Sequence, residues 1–230
     1  MSQSVLSHRL KQTAAEAAVA LVQEGMTVGL GSGSTAEIAL QLLGQRVRRG
    51  LRILGVPTSE RVAALAREAG IPLAPEDDFR LDIDIDGADE VEKSTLNLIK
   101  GHGGALLREK IVAASSAMFV VIVDESKIVD RLGAKFALPV EVMPFGWRAT
   151  ARQIERLGAK VAIRHGGGDS YFLSDSGHFI LDCSFGPLED PASLASELTT
   201  IPGVVEHGLF LGMATRVLVG APHGVVELRP

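Results

Sequence analysis

Residues 118–124, M-F-V-V-I-V-D, are apolar for six positions and then end on a carboxylate. A run this short suits a strand better than a helix. Its side chains point alternately to both sides, so both sides need apolar cover. The expectation is a central strand of a parallel sheet with helices above and below. The chain before it alternates accordingly. Helical periods occupy 4–24 (Val5, Leu6, Leu10, Ala14, Ala17, Ala18, Leu21), 34–49 (Ile38, Leu42, Leu43) and 59–69, the last capped by Thr58 or Ser59 and closed by Gly70. Short apolar strands at 27–31 and 51–56 lie between them, and a further helix is expected over 105–115.

Residues 81–86, L-D-I-D-I-D, alternate strictly, which puts Leu81, Ile83 and Ile85 on one face and Asp82, Asp84 and Asp86 on the other. Three carboxylates conflict with a strand buried on both faces, so that face either meets solvent or feeds a site. Asp82 reads as structural or solvated. Beyond Lys127 the texture changes. A strand over 136–143 contains Pro139, which suggests an edge or a crossover. A helix over 147–157 precedes strands at 160–164, 171–173 and 179–183, separated by an H-G-G-G-D turn (165–169) and an S-D-S-G turn (174–177). A helix at 192–199 and strands at 208–211 and 216–219 follow. The expected architecture is an α/β domain over 1–131 and 208–230, with a smaller α+β domain over 132–207.

The charge balance narrows the partners. A formal net charge of −5 argues against nucleic acid and against an anionic membrane surface. The basic run R-V-R-R at 46–49 sits where a helix ends and suits its dipole. Cys183 is the one cysteine, so no internal disulfide is expected, and it reads as a small buried hydrophobe. Residues 2–12 lack the apolar core of a signal peptide, and no segment approaches the ~20 apolar residues of a membrane span. The expected compartment is the cytoplasm.

Three stretches carry chemistry. G-S-G-S-T-A, Gly31 to Ala36, follows a strand and opens a helix. Its backbone N–H groups with the hydroxyls of Ser32, Ser34 and Thr35 make either an anion site or an ordinary helix cap. It lacks the third glycine of a dinucleotide loop and the lysine of a triphosphate loop. D-G-A-D-E, Asp86 to Glu90, is a turn bearing carboxylates. K-G-H-G-G-A-L-L-R-E-K, Lys100 to Lys110, runs from a glycine loop into a helix carrying Glu109, whose acid could equally offset the helix dipole. Metal binding is not expected: His8, His102, His165, His178, His207 and His223 are isolated, without ligand spacing. No G-x-S-x-G marks a serine nucleophile. What remains suits proton transfer next to a carbonyl.

D-G-A-D-E followed by K-G-x-G-G-A-L-L-R-E-K resembles the ribose-5-phosphate isomerase family of the A type. G-S-G-S-T-A, D-E-S-K (124–127), G-H-F-I-L-D (177–182) and I-P-G-V-V-E-H-G-L-F (201–210) resemble further blocks of that family in its order, over nearly the whole chain. The resemblance implies a Rossmann-like parallel-sheet domain with a smaller α+β domain. It also implies interconversion of ribose 5-phosphate and ribulose 5-phosphate through an enediol, without metal or other cofactor, by a homodimer or homotetramer. It implies Glu109 as the base, with Lys100 and the N–H groups of Gly101 to Gly103 stabilising the enediolate. Asp86 and Asp89 hold sugar hydroxyls across Gly87 and Ala88, and Asp86 is a candidate for assisting ring opening. Ser32, Gly33, Ser34 and Thr35, with Lys127 and Lys11, meet substrate oxygens or phosphate.

His102 stands where the family often has glycine or a basic residue, so its side chain either joins the chemistry or points outward at the rim; the rim is expected. Asp84 stands where an uncharged residue is expected. The competing readings are a sugar-phosphate-sensing regulatory domain on the same type of sheet, which would lose the base, and a CoA-transferase-like enzyme.

Overall fold

The structure is a computed structural model, and it describes residues 3–168 and 170–230. Asp169, at the end of the expected 165–169 turn, lies outside the described residues, as do Met1 and Ser2. Contacts divide the chain into two units. The first comprises Met1–Ala88, Arg108–Ile128 and Met213–Pro230, and the second comprises Asp89–Leu107 and Val129–Gly212. The boundaries expected from the sequence are 131 and 208. The 89–107 segment, expected in the first domain, clusters with the second unit.

The first unit is built on a six-stranded sheet ordered Gly224–Leu228, Arg216–Ala221, Phe119–Asp124, Ile83–Asp86, Thr27–Leu30, Leu54–Pro57. All neighbours are parallel except the hairpin joining the Arg216 and Gly224 strands. The unbroken apolar run is central, and all six residues of its strand are buried. One face packs Val28, Leu30, Ile83, Ile85, Val120, Ile122 and Leu218 against Ala14 and Ala18 of the helix Gln3–Val19 and Leu40 and Leu43 of the helix Ser34–Arg48. Each large aliphatic side chain buried this way contributes roughly 1.5–3 kcal/mol.

The other face explains the aspartate alternation. Asp84 and Asp86 are 0 % exposed, so this face does not meet solvent at those positions. Room for the carboxylates comes from the neighbouring strand. A Cβ at Gly29 would collide with Asp84 and lie 2.7 Å from Val112 Cγ1, and one at Gly31 would lie 2.5 Å from Asp86 Cα. Asp82 is exposed and accepts the Thr27 N–H at 2.8 Å, the structural role expected of it.

The second unit holds an antiparallel sheet ordered Val204–His207, Leu138–Val142, Phe179–Ser184, Lys160–Ile163, with the helices Trp147–Arg156 and Pro191–Thr200. Leu138, Val140, Val142, Ile154, Leu181, Leu194 and Leu198 form its core. Cys183 joins that core, and burial pushes its thiol pKa up, which keeps it an inert hydrophobe. A second small sheet contains Leu209–Phe210, Leu98–Ile99, Glu90–Glu92 and Ile128–Val129.

Three expectations are corrected here. The Leu138 strand is interior, paired on both sides, although it contains Pro139. Pro139 is the second residue of the strand, where a missing N–H is tolerated, and its carbonyl accepts from Gly208 N at 2.8 Å. Residues 171–173 form a single bridge, His165 to Tyr171, and no strand. Residues 209–210 pair with Leu98–Ile99 in the second unit and do not return to the first sheet. The hairpin strand Gly224–Leu228 had no expectation in the sequence reading. No described helix is long and apolar enough to cross a membrane.

Candidate active site

In the first unit the strand order reverses at the Thr27 strand, because the chain steps to one side for the Leu54 strand and to the other for the Ile83 strand. In parallel sheets, ligands bind beyond the carboxyl ends of the strands at such a reversal. Two of the expected stretches sit there. Gly31 N donates to Ile85 O at 3.0 Å, which sets the Gly31 turn beside Asp86. The turn then enters the Ser34 helix through Gly33, whose φ of 103° favours glycine. No side chain caps that helix, and its first internal bond runs from Glu37 N to Gly33 O. The N–H groups of Ser34, Thr35 and Ala36 therefore precede the first helical bond, an arrangement suited to an anion.

The hydroxyls divide in role. Thr58 Oγ1 donates to Leu30 O at 2.9 Å, so in its 2.9 Å bond with Ser32 Oγ it accepts. Ser32 therefore spends its one proton on Thr58, and Ser59 Oγ donates to Ser32 at 3.0 Å. Ser32 thereby anchors the turn to the end of the adjacent strand. Ser34 is exposed, and Lys11 Nζ reaches its Oγ at 2.9 Å, which brings a cation to the mouth of the helix. Lys11 thus joins the loop. Thr35 is buried. Lys127 closes the short 3₁₀ turn Glu125–Lys127 that follows the Phe119 strand, and it is half-buried. Gly87 and Ala88 follow Asp86 out of the sheet; Asp86 Oδ1 accepts from Gly87 N at 2.6 Å.

Glu109 lies in the first turn of the helix Leu106–Ala114 and is 4 % exposed. One turn on, Val112 packs beside Gly29 and Asp84. Helical spacing puts Glu109 and Val112 on one face, so Glu109 shares the sheet-facing side with Val112. A carboxyl in that position is withdrawn from water, the setting a proton-transfer base needs.

In the second unit, Lys100 follows the Leu98 strand and is 3 % exposed. Its N–H donates to Gly208 O at 2.9 Å, and its Nζ lies 5.6 Å from the centre of the Phe210 ring. Gly101 has φ 104°, and a Cβ there would lie 2.7 Å from Leu106 Cβ. Gly104 N closes the turn onto Gly101 O at 2.9 Å. Asp89 Oδ2 accepts the His102 N–H at 2.9 Å. Asp89 therefore fixes the loop with one oxygen, a role beyond the sugar contact expected of it. His102 is exposed and meets Phe136 edge-on at 5.4 Å between ring centres. Gly103 is exposed, with nothing within 4 Å of an added Cβ.

Sequence reasoning missed the supports. Glu90 is fully buried and gathers the N–H groups of Gly133 and Lys135 at 2.6 Å and Phe136 at 2.8 Å. Arg164 donates to the carbonyls of Gly101 and His102, both at 2.9 Å, and is itself paired with Asp182. Their only sequence signal was polar residues at strand positions. Among the described residues no group of three or more His, Cys, Asp or Glu side chains could hold a metal ion.

Comparison with known proteins gives one consistent answer. A family model described as ribose 5-phosphate isomerase A (phosphoriboisomerase A) matches residues 54–224. The chain is 57 % identical over 222 residues to a protein of Gloeobacter violaceus named ribose-5-phosphate isomerase A, covering 96 % of each. A solved ribose 5-phosphate isomerase A from Methanocaldococcus jannaschii superposes with a TM-score of 0.92 at 44 % identity, over 96 % of this chain and 98 % of that one. A solved D-ribose-5-phosphate isomerase in complex with phospho-erythronic acid gives a TM-score of 0.92 at 41 % identity, with the same coverage.

Proposed function

The chain belongs to the ribose 5-phosphate isomerase A family, and on that premise we propose how its residues interconvert ribose 5-phosphate and ribulose 5-phosphate. The observation that carries the mechanism is a buried carboxylate, Glu109, on a helix led into by a glycine loop that bears a buried lysine.

The substrate phosphate binds at the Gly31–Thr35 turn. Backbone N–H groups of the Ser34 helix, the Ser34 and Thr35 hydroxyls and the Lys11 ammonium supply donors and positive charge, with Lys127 as a further cation. Asp86 assists opening of the sugar ring. Glu109 then removes the proton from C2 of the open aldose. The electron pair of that C–H bond forms the C1–C2 double bond, and the carbonyl electrons move onto O1. The resulting enediolate is stabilised by Lys100 and by N–H groups of its loop. Protonation of C1 by the Glu109 acid, with the 2-hydroxyl proton passing from O2 to the O1 oxyanion as the C2 carbonyl forms, gives the ketose. One group thus removes and returns the proton, and no cofactor enters the balance. Phospho-erythronic acid, bound by a solved relative, supports this chemistry, because its planar carboxylate resembles the enediolate.

The division into an α/β domain with a smaller α+β domain, assembly as a homodimer or homotetramer and a cytoplasmic location belong to the same reading. Phe145 is 92 % exposed and Met143 44 %, apolar surface that a second copy would cover. No observation favours the regulatory-domain reading.

The test is to incubate the protein with ribose 5-phosphate and with unphosphorylated ribose and follow ketose formation. Ribulose 5-phosphate should appear quickly and the phosphorylated sugar should be strongly preferred. No conversion, or equal use of both sugars, contradicts the reading.

A further inference from the structure

The Lys100–Gly104 loop is held from a distant part of its own unit. Arg164 follows the strand Lys160–Ile163 and has a side chain only 12 % exposed. Its Nη1 donates to both Gly101 O and His102 O at 2.9 Å. Its Nε donates to Asp182 Oδ2 at 3.0 Å, and Nη2 meets Asp182 Oδ1. The planar guanidinium is therefore fixed on the carboxylate side and presents its free edge to two successive carbonyls.

A trans peptide is planar, with its C=O and N–H pointing in opposite directions. Drawing Gly101 O towards Arg164 turns the His102 N–H away, where Asp89 Oδ2 accepts it. Drawing His102 O towards Arg164 likewise turns the Gly103 N–H away. Among the described residues that N–H finds no acceptor, and the space around Gly103 is open. One peptide is thus clamped at both ends, and the next is clamped at its oxygen with its donor presented outward.

We infer that Arg164, held by Asp182, is a positioning residue that aims the Gly103 N–H at the developing enediolate oxygen. This rests on the proposed role of the loop and deepens it by naming one donor and what orients it. Arg164 acts through the peptide and does not touch the substrate. The loop glycines serve the same end, since a Cβ at Gly104 would run into the Phe172 ring, which lies 5.9 Å from the Arg164 guanidinium.

The test compares Arg164→Met, Arg164→Lys and Asp182→Asn with the wild type. Each is assayed for kcat and KM on ribose 5-phosphate and for affinity for phospho-erythronic acid, with thermal melting to verify folding. Arg164→Met is expected to lower kcat about 10²-fold, the loss typical of one preorganised oxyanion donor, with KM nearly unchanged. Affinity for the carboxylate analogue should fall in parallel with kcat/KM. Arg164→Lys should be intermediate, because an ammonium cannot span two carbonyls and pair bidentately with Asp182. Asp182→Asn should show a smaller fall of the same kind. If Arg164→Met does not fold, the other two variants decide by the same criterion. Folded variants with wild-type kcat, or with reduced kcat but unchanged analogue affinity, overturn the inference. A wild type that fails to convert ribose 5-phosphate overturns the isomerase reading instead, so the two failures are distinguishable.

Discussion

Two glycine loops of this chain are held in opposite ways. The Gly31–Thr35 turn is fixed by the strand it leaves, the helix it enters and hydroxyls at the end of the adjacent strand, Thr58 and Ser59. The Lys100–Gly104 loop is fixed by Asp89, Gly208 and Arg164, the last some sixty residues away. The first loop presents several donors in one direction, as suits a phosphate that stays unchanged through the reaction. The second restrains single peptides, as suits charge that appears only during the reaction. Binding and chemistry should therefore fail separately when each region is damaged.

The strongest way to break that comparison is at the carboxylate that follows the second loop. Glu109→Gln keeps shape but cannot accept a proton, so kcat should fall about 10²–10⁴-fold with substrate affinity largely kept. Steady-state kinetics beside direct substrate titration decide it; an affinity loss matching the rate loss would merge the two roles. The first loop should fail the other way. Ser34→Ala with Thr35→Ala removes two proposed donors to a charged group, at about 1.5–3 kcal/mol each, so KM for ribose 5-phosphate should rise at least about 10²-fold. Turnover should change little, and the weak reaction of unphosphorylated ribose should hardly respond. Equal loss on both sugars would make these residues mere helix caps.

Smaller effects sharpen the boundary of the site. His102 faces outward against Phe136, so His102→Gly should change kcat by less than about tenfold, under ~1.4 kcal/mol of barrier. A larger fall, or a pH–rate limb that disappears with the imidazole, would bring the side chain into the chemistry. Exhaustive chelation should leave activity unchanged if, as proposed, a fixed lysine and backbone dipoles carry the developing charge. A loss restored by a divalent ion would refute that.

The contrast between the loops also marks what sequence could show. The central strand, the helices around it and the Gly31 turn were legible because periodicity and adjacency encode them within about twenty residues. The aspartate alternation was legible as a pattern, but its burial depended on Gly29 and Gly31 of a neighbouring strand, a pairing that alternation alone does not reveal. Pro139 misled, since a proline near a strand start can lie in an interior strand when its carbonyl still finds a donor. Arg164 and Glu90 were invisible because their partners are backbone groups brought near only by folding, and Asp182 because its partner is the Arg164 guanidinium. Asp89 was found as a site residue, while its bond to the His102 N–H emerged only from the fold.

The central claim is an enediol formed by one carboxylate, and solvent exchange tests it most directly. Ribose 5-phosphate is equilibrated with the wild type and with Glu109→Gln in D₂O for many turnovers, and the sugars are read by NMR. The account predicts that deuterium accumulates at C1 of ribulose 5-phosphate and at C2 of ribose 5-phosphate with the wild type, and that the variant gives neither ketose nor label at a comparable rate. Ketose that keeps only protium at C1 after prolonged equilibration, or labelling by Glu109→Gln as fast as by the wild type, would contradict it.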